Sequence, residues 1–268
     1  MDSTTPLAPL RVLSVNLGRA TAVDYTDAAA GVTGIGKRPA PGPVRVSAPG
    51  PKGTGGSGLE GDAVCDLRHH GGDHQAVYAY AREDLDWWEG ELDRELPAGR
   101  FGENLTTRGI DVTGALLGER WRIGAGLVLE VASARIPCRT FQGALDETAW
   151  VKRYTQAARP GAYLRVIQEG TVAPGDAIEV VHRPDHDVTV ELWFRAFTTD
   201  RSLLPRTLAA GGAMEPQAHD TVRAHMEKYG TQYGKQPGAR RGSDAGAMRE
   251  RRGSDPQVAR EQGECSRK

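Results

Sequence analysis

The amino-acid sequence predicts a mainly β fold, a closed or sandwiched antiparallel sheet, followed by a small helical part. Glycine and proline contribute 34 and 16 of the 268 residues, and such a turn-rich composition favours many short strands over a helical bundle. Between residues 10 and 182, short runs of β-branched and aromatic residues alternate with glycine turns. After Pro184 the apolar residues change toward helical spacing.

Seven runs in the first region are predicted to be strands because β-branched and aromatic side chains dominate them. They are residues 12–15, 44–46, 76–80, 121–123, 127–131, 163–167 and 178–181. Glycines at positions 124 and 126 separate two of these runs and predict a hairpin. A glycine followed by an acidic residue precedes two runs, at 118–119 and 175–176. This repeated turn and strand is typical of an antiparallel sheet.

Helices are predicted where apolar residues recur every three or four positions. Helical spacing occurs over residues 83–95, which begin with acidic residues that the helix dipole favours, and over 147–158. Residues 188–197 mix strand and helix signals. Short helices are predicted over 199–210 and 216–228, separated by Gly211-Gly212. We therefore divide the chain into a β domain (1–185), a small helical C-terminal domain (186–233) and a tail (234–268).

The tail is predicted to be disordered. It contains no aromatic residue, nine Lys and Arg against five Asp and Glu, and an eleven-residue duplication in which residues 240–250 recur at 251–261. Such a segment buries too little apolar surface to offset the entropy lost on ordering. A nucleic-acid-binding arm is the alternative interpretation.

Charge and hydropathy argue against several classes of protein. The chain carries 34 Lys and Arg against 35 Asp and Glu, a net charge of -1, which argues against nucleic acid or an anionic membrane as the main partner. No apolar stretch approaches the ~20 residues of a membrane helix. The first residues resemble no export signal, and three cysteines are too few for a disulfide framework. The expected compartment is the reducing cytoplasm.

The densest cluster of candidate functional residues contains His69, His70 and His74 beside two glycines. Histidines with glycines that allow close backbone approach suit a metal or an oxyanion. Zinc bound by Cys65, His69 and His74 is an alternative, but the cluster lacks a fourth ligand nearby and its spacing is not typical of zinc sites. A surface turn before the next strand is the simplest interpretation.

Two other loops carry candidate groups. One places Glu103 and Asn104 among glycines, in a shaped loop or in an N-capped turn. In the other, Arg135 and Arg139 flank Cys138, and nearby cations favour the thiolate, the nucleophilic and metal-binding form of cysteine. A buried, unreactive cysteine is the alternative. If one thiol of this chain is functional, we expect it to be Cys138.

Taken in order, these motifs resemble the MOSC domain, the C-terminal domain type of molybdenum-cofactor sulfurases, and specifically its stand-alone YiiM-type branch. The landmarks are Ile35-Gly36-Lys37-Arg38-Pro39, Gly58-Leu59-Glu60-Gly61-Asp62, His70-Gly71-Gly72, Ala76-Val77-Tyr78-Ala79-Tyr80, Phe101-Gly102-Glu103-Asn104-Leu105-Thr106, Ile123-Gly124 and Arg135-Ile136-Pro137-Cys138. The resemblance covers residues 10–230, including the helical part. The chain departs from it at His74-Gln75, where many relatives have Asp-Lys, so one expected cation is absent.

The resemblance implies a β-barrel-like fold that binds the molybdenum cofactor, with Cys138 as the thiolate ligand of the metal. Cations would hold the anionic phosphate of the cofactor. The implied cofactor-binding residues are Lys37, Arg68, His70, Gly71, Gly72, Asn104 and Arg135, with Arg38 and Arg165 as further candidate cations. The implied catalytic residues are Cys138, His70 and Glu103, of which either His70 or Glu103 would relay a proton.

The resemblance also implies a reaction, the reduction of N-hydroxylated substrates such as hydroxylaminopurine-like bases or amidoxime-like compounds. The cofactor would carry the redox chemistry. The chain contains no ferredoxin cysteine set and no flavin motif, so we expect an external reductase to donate the electrons. We expect no stable nucleic-acid partner and no membrane, and a homodimer is compatible with the resemblance.

Two alternative functions stay open at this point. In the first, Cys138 carries a persulfide and acts as a sulfur carrier or sulfurtransferase. A partner desulfurase would then hold pyridoxal phosphate, because no such domain fits in this chain. In the second, the protein is a non-catalytic module that binds, stores or delivers the molybdenum cofactor.

Because the predicted tail buries little apolar surface, removing residues 234–268 is expected to leave the melting temperature unchanged. Thermal unfolding of the full chain beside a chain ending at Tyr233 measures this. A melting temperature lowered by several degrees in the shorter chain would show that the tail packs on the folded part.

Overall fold

The computed structural model describes residues 9–233, with side chains up to residue 230. The tail predicted over residues 234–268, including its duplication, lies outside the described residues. The strands are β1 Arg11–Leu17, β2 Thr21–Ala22, β3 Val32–Thr33, β4 Arg38–Pro39, β5 Val44–Val46, β6 Val77–Ala81, β7 Leu105–Arg108, β8 Arg120–Ile123, β9 Leu127–Ala134, β10 Ala162–Gln168, β11 Gly170–Val172 and β12 Ile178–His182.

Six α-helices accompany these strands. They are α1 Arg82–Leu92, α2 Arg139–Leu145, α3 Trp150–Ala157, α4 Val190–Thr198, α5 Leu204–Thr207 and α6 Pro216–Tyr233. Three short 3₁₀ helices lie at Asp73–Gln75, Arg201–Leu203 and Leu208–Ala213. Within residues 9–233, none of the helices combines the length and the apolar character needed to span a membrane.

Eight strands form one mixed sheet in the order β12-β8-β9-β10-β6-β7-β1-β4. All neighbours are antiparallel except β6 and β7, which run parallel and are connected through α1. The predicted hairpin is confirmed, because Ile123 pairs with Leu127 across the β8–β9 turn. Two small sheets, β5 with β11 and β2 with β3, lie beside the large one.

At one end of the large sheet, the residue before β12 meets β1, the strand next to the other end, through an isolated bridge between Arg11 and Ala177. Beside it, the N–H of Val12 donates to the carbonyl oxygen of Asp176 at 2.9 Å, and the N–H of Gly175 donates to that of Val12 at 2.8 Å. No continuous ladder closes the sheet in the described part of the chain, so it is not a closed barrel. The predicted mainly β fold with peripheral helices and a helical C-terminal part is confirmed.

Each of the seven predicted strands overlaps an observed strand: β1, β5, β6, β8, β9, β10 and β12. The first predicted helix is three residues shorter at its C-terminal end than expected, because Asp93 adopts a left-handed conformation and ends α1. Residues 188–197, which were ambiguous, form the helix α4. The helix predicted over 199–210 is instead broken into 3₁₀ and α segments, and Gly211 separates it from α6.

Buried aromatic rings form the centre of the core around α1, α2 and α3. Trp150 is fully buried and its ring centroid lies 4.5 Å from that of Trp88, 5.4 Å from Phe141 and 5.5 Å from Tyr154. The buried apolar residues of the described chain form a single cluster that includes Phe194 of the helical part. The boundary predicted at residue 185 stays a prediction.

Replacing Trp150 with alanine is expected to lower the free energy of unfolding by about 3–5 kcal/mol, the usual cost of removing a fully buried aromatic ring. Urea unfolding followed by circular dichroism measures the loss. Ile167→Thr serves as the control, since Ile167 is 42% exposed and threonine keeps the β-branch. An equal loss in both variants would contradict the central place of Trp150 in the core.

Candidate active-site cavity

A cavity of about 600 Å³ lies between the loops of the β region and the C-terminal helices, and we call it the main cavity. Its volume is in the range of about 300–1,000 Å³ that small-molecule sites occupy. The wall is formed by parts of residues 26–37, 52–57, 62–71, 133–140, α4 and α6, with single residues from other segments. The main cavity thus joins segments that are far apart in the sequence.

Cys138 lies in the wall of the main cavity, half-buried, in the connection between β9 and α2. The chain leaves β9 at Ala134, and residues 135–138 follow without regular secondary structure, with an extended backbone at Cys138. Ile136, two residues before the thiol, also lines the cavity and is 43% exposed. The predicted functional thiol is therefore accessible from a cavity rather than enclosed in the core.

Arg135 is the buried cation beside this thiol. Its Nη1 donates to the carbonyl oxygen of Phe101 at 2.6 Å, and the guanidinium lies 4.2 Å from the centroid of the Phe141 ring. Its Nε is buried without a partner among the described residues. Burial would lower the pKa of Arg135, but the neighbouring Tyr163, Tyr78 and Cys138 side chains raise it, so the guanidinium stays charged.

Arg139, the second arginine that flanks Cys138, is not part of the cavity wall. Its side chain is 67% exposed and donates at 3.4 Å to Asp27, which does line the cavity. Of the two arginines predicted to act on the thiol, Arg135 has the electrostatic interaction with it.

Asp62 connects two segments of the cavity wall to the Gly18 turn, and the sequence analysis did not select it as a site residue. Its side chain is 1% exposed. It accepts hydrogen bonds from the Gly18 N–H at 2.7 Å, from the Lys37 Nζ at 2.5 Å and from the Asn104 Nδ2 at 2.9 Å. Asp62 stands in one of the family-like motifs, but its role depends on contacts that lie 25 to 44 positions away.

Lys37 and Asn104, both predicted to bind the cofactor, line the main cavity. Burial lowers the pKa of Lys37 below its ordinary value, and the adjacent Asp62 carboxylate opposes this shift. Because Lys37 is paired with Asp62 and Lys52 with Glu215, Arg135 is the lining cation that forms no ion pair among residues 9–233. An anionic ligand in the main cavity would therefore meet the uncompensated positive charge of the Arg135 guanidinium.

His70 lines the main cavity together with His69. Burial, followed by the charge of Arg135, lowers the pKa of His70 from 6.5 to about 4. His70 is therefore a neutral imidazole at pH 7, able to accept a proton or to donate its ring N–H. His74 lies outside the wall of the main cavity and lines a second cavity with Arg165.

Glu103 does not line the main cavity, because its carboxylate is enclosed by its own loop. Its Oε1 accepts from the Gly99 N–H at 2.6 Å and from the Thr106 hydroxyl at 2.8 Å, and its Oε2 accepts from the Phe101 N–H at 3.0 Å. Burial raises the pKa of Glu103, and these hydrogen bonds oppose the shift. Through these hydrogen bonds the Glu103 carboxylate organises its own loop.

Gly71 and Gly72 allow a neighbouring loop to pack closely. Both have positive φ angles, 81° and 78°. A Cβ on Gly71 would lie 2.7 Å from the carbonyl oxygen of Gly55, and a Cβ on Gly72 would lie 2.7 Å from the backbone of Lys52. Gly71 lines the main cavity and Gly72 does not. The close backbone approach predicted at these glycines is therefore made by the protein's own loop, the one that contains Lys52 and Gly55.

Three further cations named in the sequence analysis lie outside the main cavity wall. Arg68 is 64% exposed and pairs with Asp66 at 3.0 Å. Arg165 pairs with the buried Glu130 and donates to the carbonyl oxygen of Gly212. Arg38 belongs to the exposed strand β4. A phosphate in the main cavity could contact one of these three cations only if the side chain of that cation moved.

Cys65 is a second thiol in the same wall. Burial and then the nearby Asp62 carboxylate raise its pKa above the ordinary value, so Cys65 stays a thiol. The zinc alternative is not supported, because the described residues contain no group of three or more His, Cys, Asp or Glu side chains arranged to hold a metal ion. Cys65 thus provides a natural comparison for Cys138.

The low pKa of His70 predicts a specific loss of stability in acid. The folded-state pKa of about 4 lies below the ordinary 6.5, so the neutral form is favoured by folding. This contribution is complete above pH 6.5 and is lost as the pH falls toward 4. Relative to His70→Gln, the wild type is expected to lose about 3 kcal/mol more unfolding free energy over that interval.

Urea unfolding of both proteins at pH 7.5 and at pH 4.5 provides the measurement. His182→Gln is the control, because His182 is exposed at the end of β12. The assignment is wrong if wild type and His70→Gln lose the same free energy between the two pH values.

Comparison with known proteins finds the MOSC domain family over residues 66–179. The chain is 34% identical over 180 residues to YflK of Bacillus subtilis, covering 67% of this chain and 77% of that protein. It is 31% identical over 163 residues to YiiM of Escherichia coli, covering 58% of this chain and 71% of that protein. A protein named reductase from Gibberella moniliformis is 30% identical over 118 residues, which make up 43% of this chain and 21% of that protein.

Among solved structures, YiiM from Geobacillus stearothermophilus superposes with a TM-score of 0.64 at 23% identity. The superposition covers 81% of this chain and all of that one. At this identity the likeness establishes the fold. With the extended similarity to YflK and YiiM, these findings show that the chain belongs to the MOSC domain family and is of the YiiM type.

Proposed function

We propose that this protein binds the molybdenum cofactor in the main cavity and reduces N-hydroxylated compounds, with the Cys138 thiolate as ligand of the metal. The observation that carries the proposal is the pairing of an accessible thiol with a buried, unpaired cation, Arg135, in a cavity of suitable size. Membership of the MOSC family and the reductase name of one distant relative support the redox reaction.

The donor set fits a metal that arrives with its own ligands. The described residues hold no three-ligand cluster for a bare ion, whereas a cofactor that supplies sulfur and oxygen ligands needs a single protein thiolate. Soft thiolates suit redox-active metals. The buried Arg135 Nε has no partner among the residues described, and an anionic or acceptor group of the cofactor would satisfy it.

When bound, the cofactor supplies the two-electron chemistry that converts an N–OH group to N–H with release of water. The protein's own residues bind and orient. Cys138 would hold the metal, Arg135 would bind the anionic part of the cofactor, and the hydrogen bond to Phe101 with the contact to the Phe141 ring fixes the guanidinium. Preorganised groups of this kind lose little free energy when the ligand binds.

Proton transfer is assigned to His70 rather than to Glu103. His70 lines the main cavity and is neutral at pH 7, so it can pass a proton from solvent to the leaving oxygen. Glu103 is enclosed by three hydrogen bonds from its own loop. An external reductase would donate the two electrons, and the substrate would be a small N-hydroxylated molecule.

Cys138→Ser is expected to abolish molybdenum retention without unfolding the protein, because serine keeps the size of the side chain and removes the soft ligand. Cys65→Ser is the matched control, since Cys65 lies in the same wall. The measurement is molybdenum and pterin content after purification from a host that makes the cofactor. Activity toward 6-hydroxylaminopurine is assayed with a chemical reductant on the same samples.

Near-stoichiometric molybdenum in the wild type and in Cys65→Ser, with loss in Cys138→Ser, supports the proposal. Unchanged molybdenum in Cys138→Ser would overturn the ligand assignment. A protein without molybdenum that carries a persulfide on Cys138, detected by mass spectrometry, would favour sulfur transfer. Bound cofactor without reductase activity would favour a storage or delivery module.

A further inference from the structure

One section of the main cavity wall is a small hairpin that stands apart from the large sheet. In the described part of the chain, its strands β2 and β3 pair with each other and with no other strand. We call residues 21–33 the flap. None of them is fully buried or belongs to the hydrophobic core. Five residues of the flap line the main cavity: Thr26, Asp27, Ala28, Val32 and Thr33.

The base of the flap is fixed where two glycines meet. A Cβ on Gly18 would lie 2.0 Å from the carbonyl oxygen of Gly34, and a Cβ on Gly34 would lie 2.1 Å from that of Ala63. The Gly18 N–H donates to Asp62 at 2.7 Å, and the Gly18 carbonyl oxygen accepts from the Ala63 N–H at 3.0 Å. The chain therefore enters and leaves the flap at one anchored point.

The tip of the flap, residues 23–31, is held together by its own hydrogen bonds. The N–H of Val23 donates to the carbonyl oxygen of Gly31 at 2.9 Å, and the N–H of Gly31 donates to that of Ala28 at 2.8 Å. The Thr26 hydroxyl accepts from the Ala28 N–H at 3.2 Å. Because these bonds lie within the tip, the tip can move as one piece about the anchored base.

The tip closes on α2, the helix whose N-cap is Cys138. The Oγ1 atoms of Thr26 and Thr140 are hydrogen-bonded at 3.1 Å. Asp27 pairs with Arg139 at 3.4 Å, and both side chains are exposed. Within the described part of the chain, these two interactions are the hydrogen bonds and ion pairs that leave the tip. An exposed ion pair adds little stability, so few interactions hold the tip closed.

A glycine of α2 provides the seat for Tyr25 of the tip. A Cβ on Gly143 would lie 2.4 Å from both the Cβ and the Cγ of Tyr25. The Cβ of Tyr25 is bonded to the backbone, so rotation of the ring could not relieve such a contact. The tip itself would have to move away from α2. The closed position of the flap therefore depends on the missing side chain at position 143.

We propose that the flap is a lid that opens and closes over Cys138, turning about its base at Gly18 and Gly34. A lid of this kind admits a ligand when it is open and completes the wall beside the thiol when it is closed. Segments without buried side chains are the ones that open most readily. The inference goes beyond the proposed function, because it concerns access to the thiol and holds for a metal ligand and for a sulfur carrier alike.

The test follows alkylation of Cys138 in the full chain purified without cofactor, with peptide mass spectrometry to resolve the cysteines. Two reagents of different size are used, iodoacetamide and a fluorescein maleimide. Thr140→Val removes the hydroxyl bond to the tip and keeps the shape of the side chain. It is expected to raise the maleimide rate about 2- to 12-fold, the factor that corresponds to one lost hydrogen bond.

Gly143→Ala, which unseats Tyr25, is expected to raise the maleimide rate at least as much. The iodoacetamide rate is expected to change less in both variants, because a small reagent depends less on the opening of a lid. Gly90→Ala is the matched control and is expected to leave both rates unchanged, since Gly90 lies on α1 with open space where a Cβ would be. Alanine favours a helix more than glycine does, so Gly143→Ala is expected to keep the wild-type melting temperature.

An unchanged maleimide rate in either Thr140→Val or Gly143→Ala would overturn the proposal, because Cys138 would then be reached by another route. The same factor for both reagents would also overturn it, since the substitutions would then act on the thiol itself. Neither readout depends on bound molybdenum or on reductase activity, so failure of the proposed function would leave this test intact.

Discussion

The main cavity depends on one buried carboxylate. Asp62 joins the Gly18 turn, the Lys37 segment and the Asn104 loop through three hydrogen bonds, and its side chain is 1% exposed. A buried ion pair adds little net stability, but removing one partner strands the other and costs about 3–5 kcal/mol. The pair therefore fixes the relative positions of three loops more than it stabilises the fold. The ion pair also neutralises the positive charge of Lys37 within the protein.

Because Lys37 and Lys52 are both paired, the electrostatics of the main cavity come to depend on Arg135. Its guanidinium is buried against an aromatic ring and a carbonyl oxygen, neither of which neutralises it. The same charge acts on two neighbouring reactive groups, Cys138 and His70. It interacts favourably with the sulfur of Cys138 and disfavours protonation of His70. One cation thus lies near both the half-buried Cys138 and a neutral imidazole in one wall.

Composition predicted the strands, since runs of β-branched and aromatic residues mark β6 and β9, which are buried along nearly their whole length. Helical spacing of apolar residues predicted α1. The helix α2 was not predicted, because seven residues give too few turns for helical spacing to show, and β7 was not predicted, because Leu105 is its single apolar residue. Motifs located Cys138, Arg135 and His70 in the cavity wall. They did not reveal that Arg68 is exposed or that Glu103 is enclosed, since burial depends on contacts between distant segments.

The helical part shows why the cavity wall could not be predicted from the sequence pattern alone. Trp193 and Phe197 read as one apolar stripe with Val190 and Phe194, and a helix of that pattern is expected to bury all of it. In the structure Val190, Trp193 and Phe194 are all buried, and Trp193 and the half-buried Phe197 also border the cavity. The cavity wall is therefore assembled from separate segments, with the thiol in the β9–α2 connection and the aromatic rings on α4.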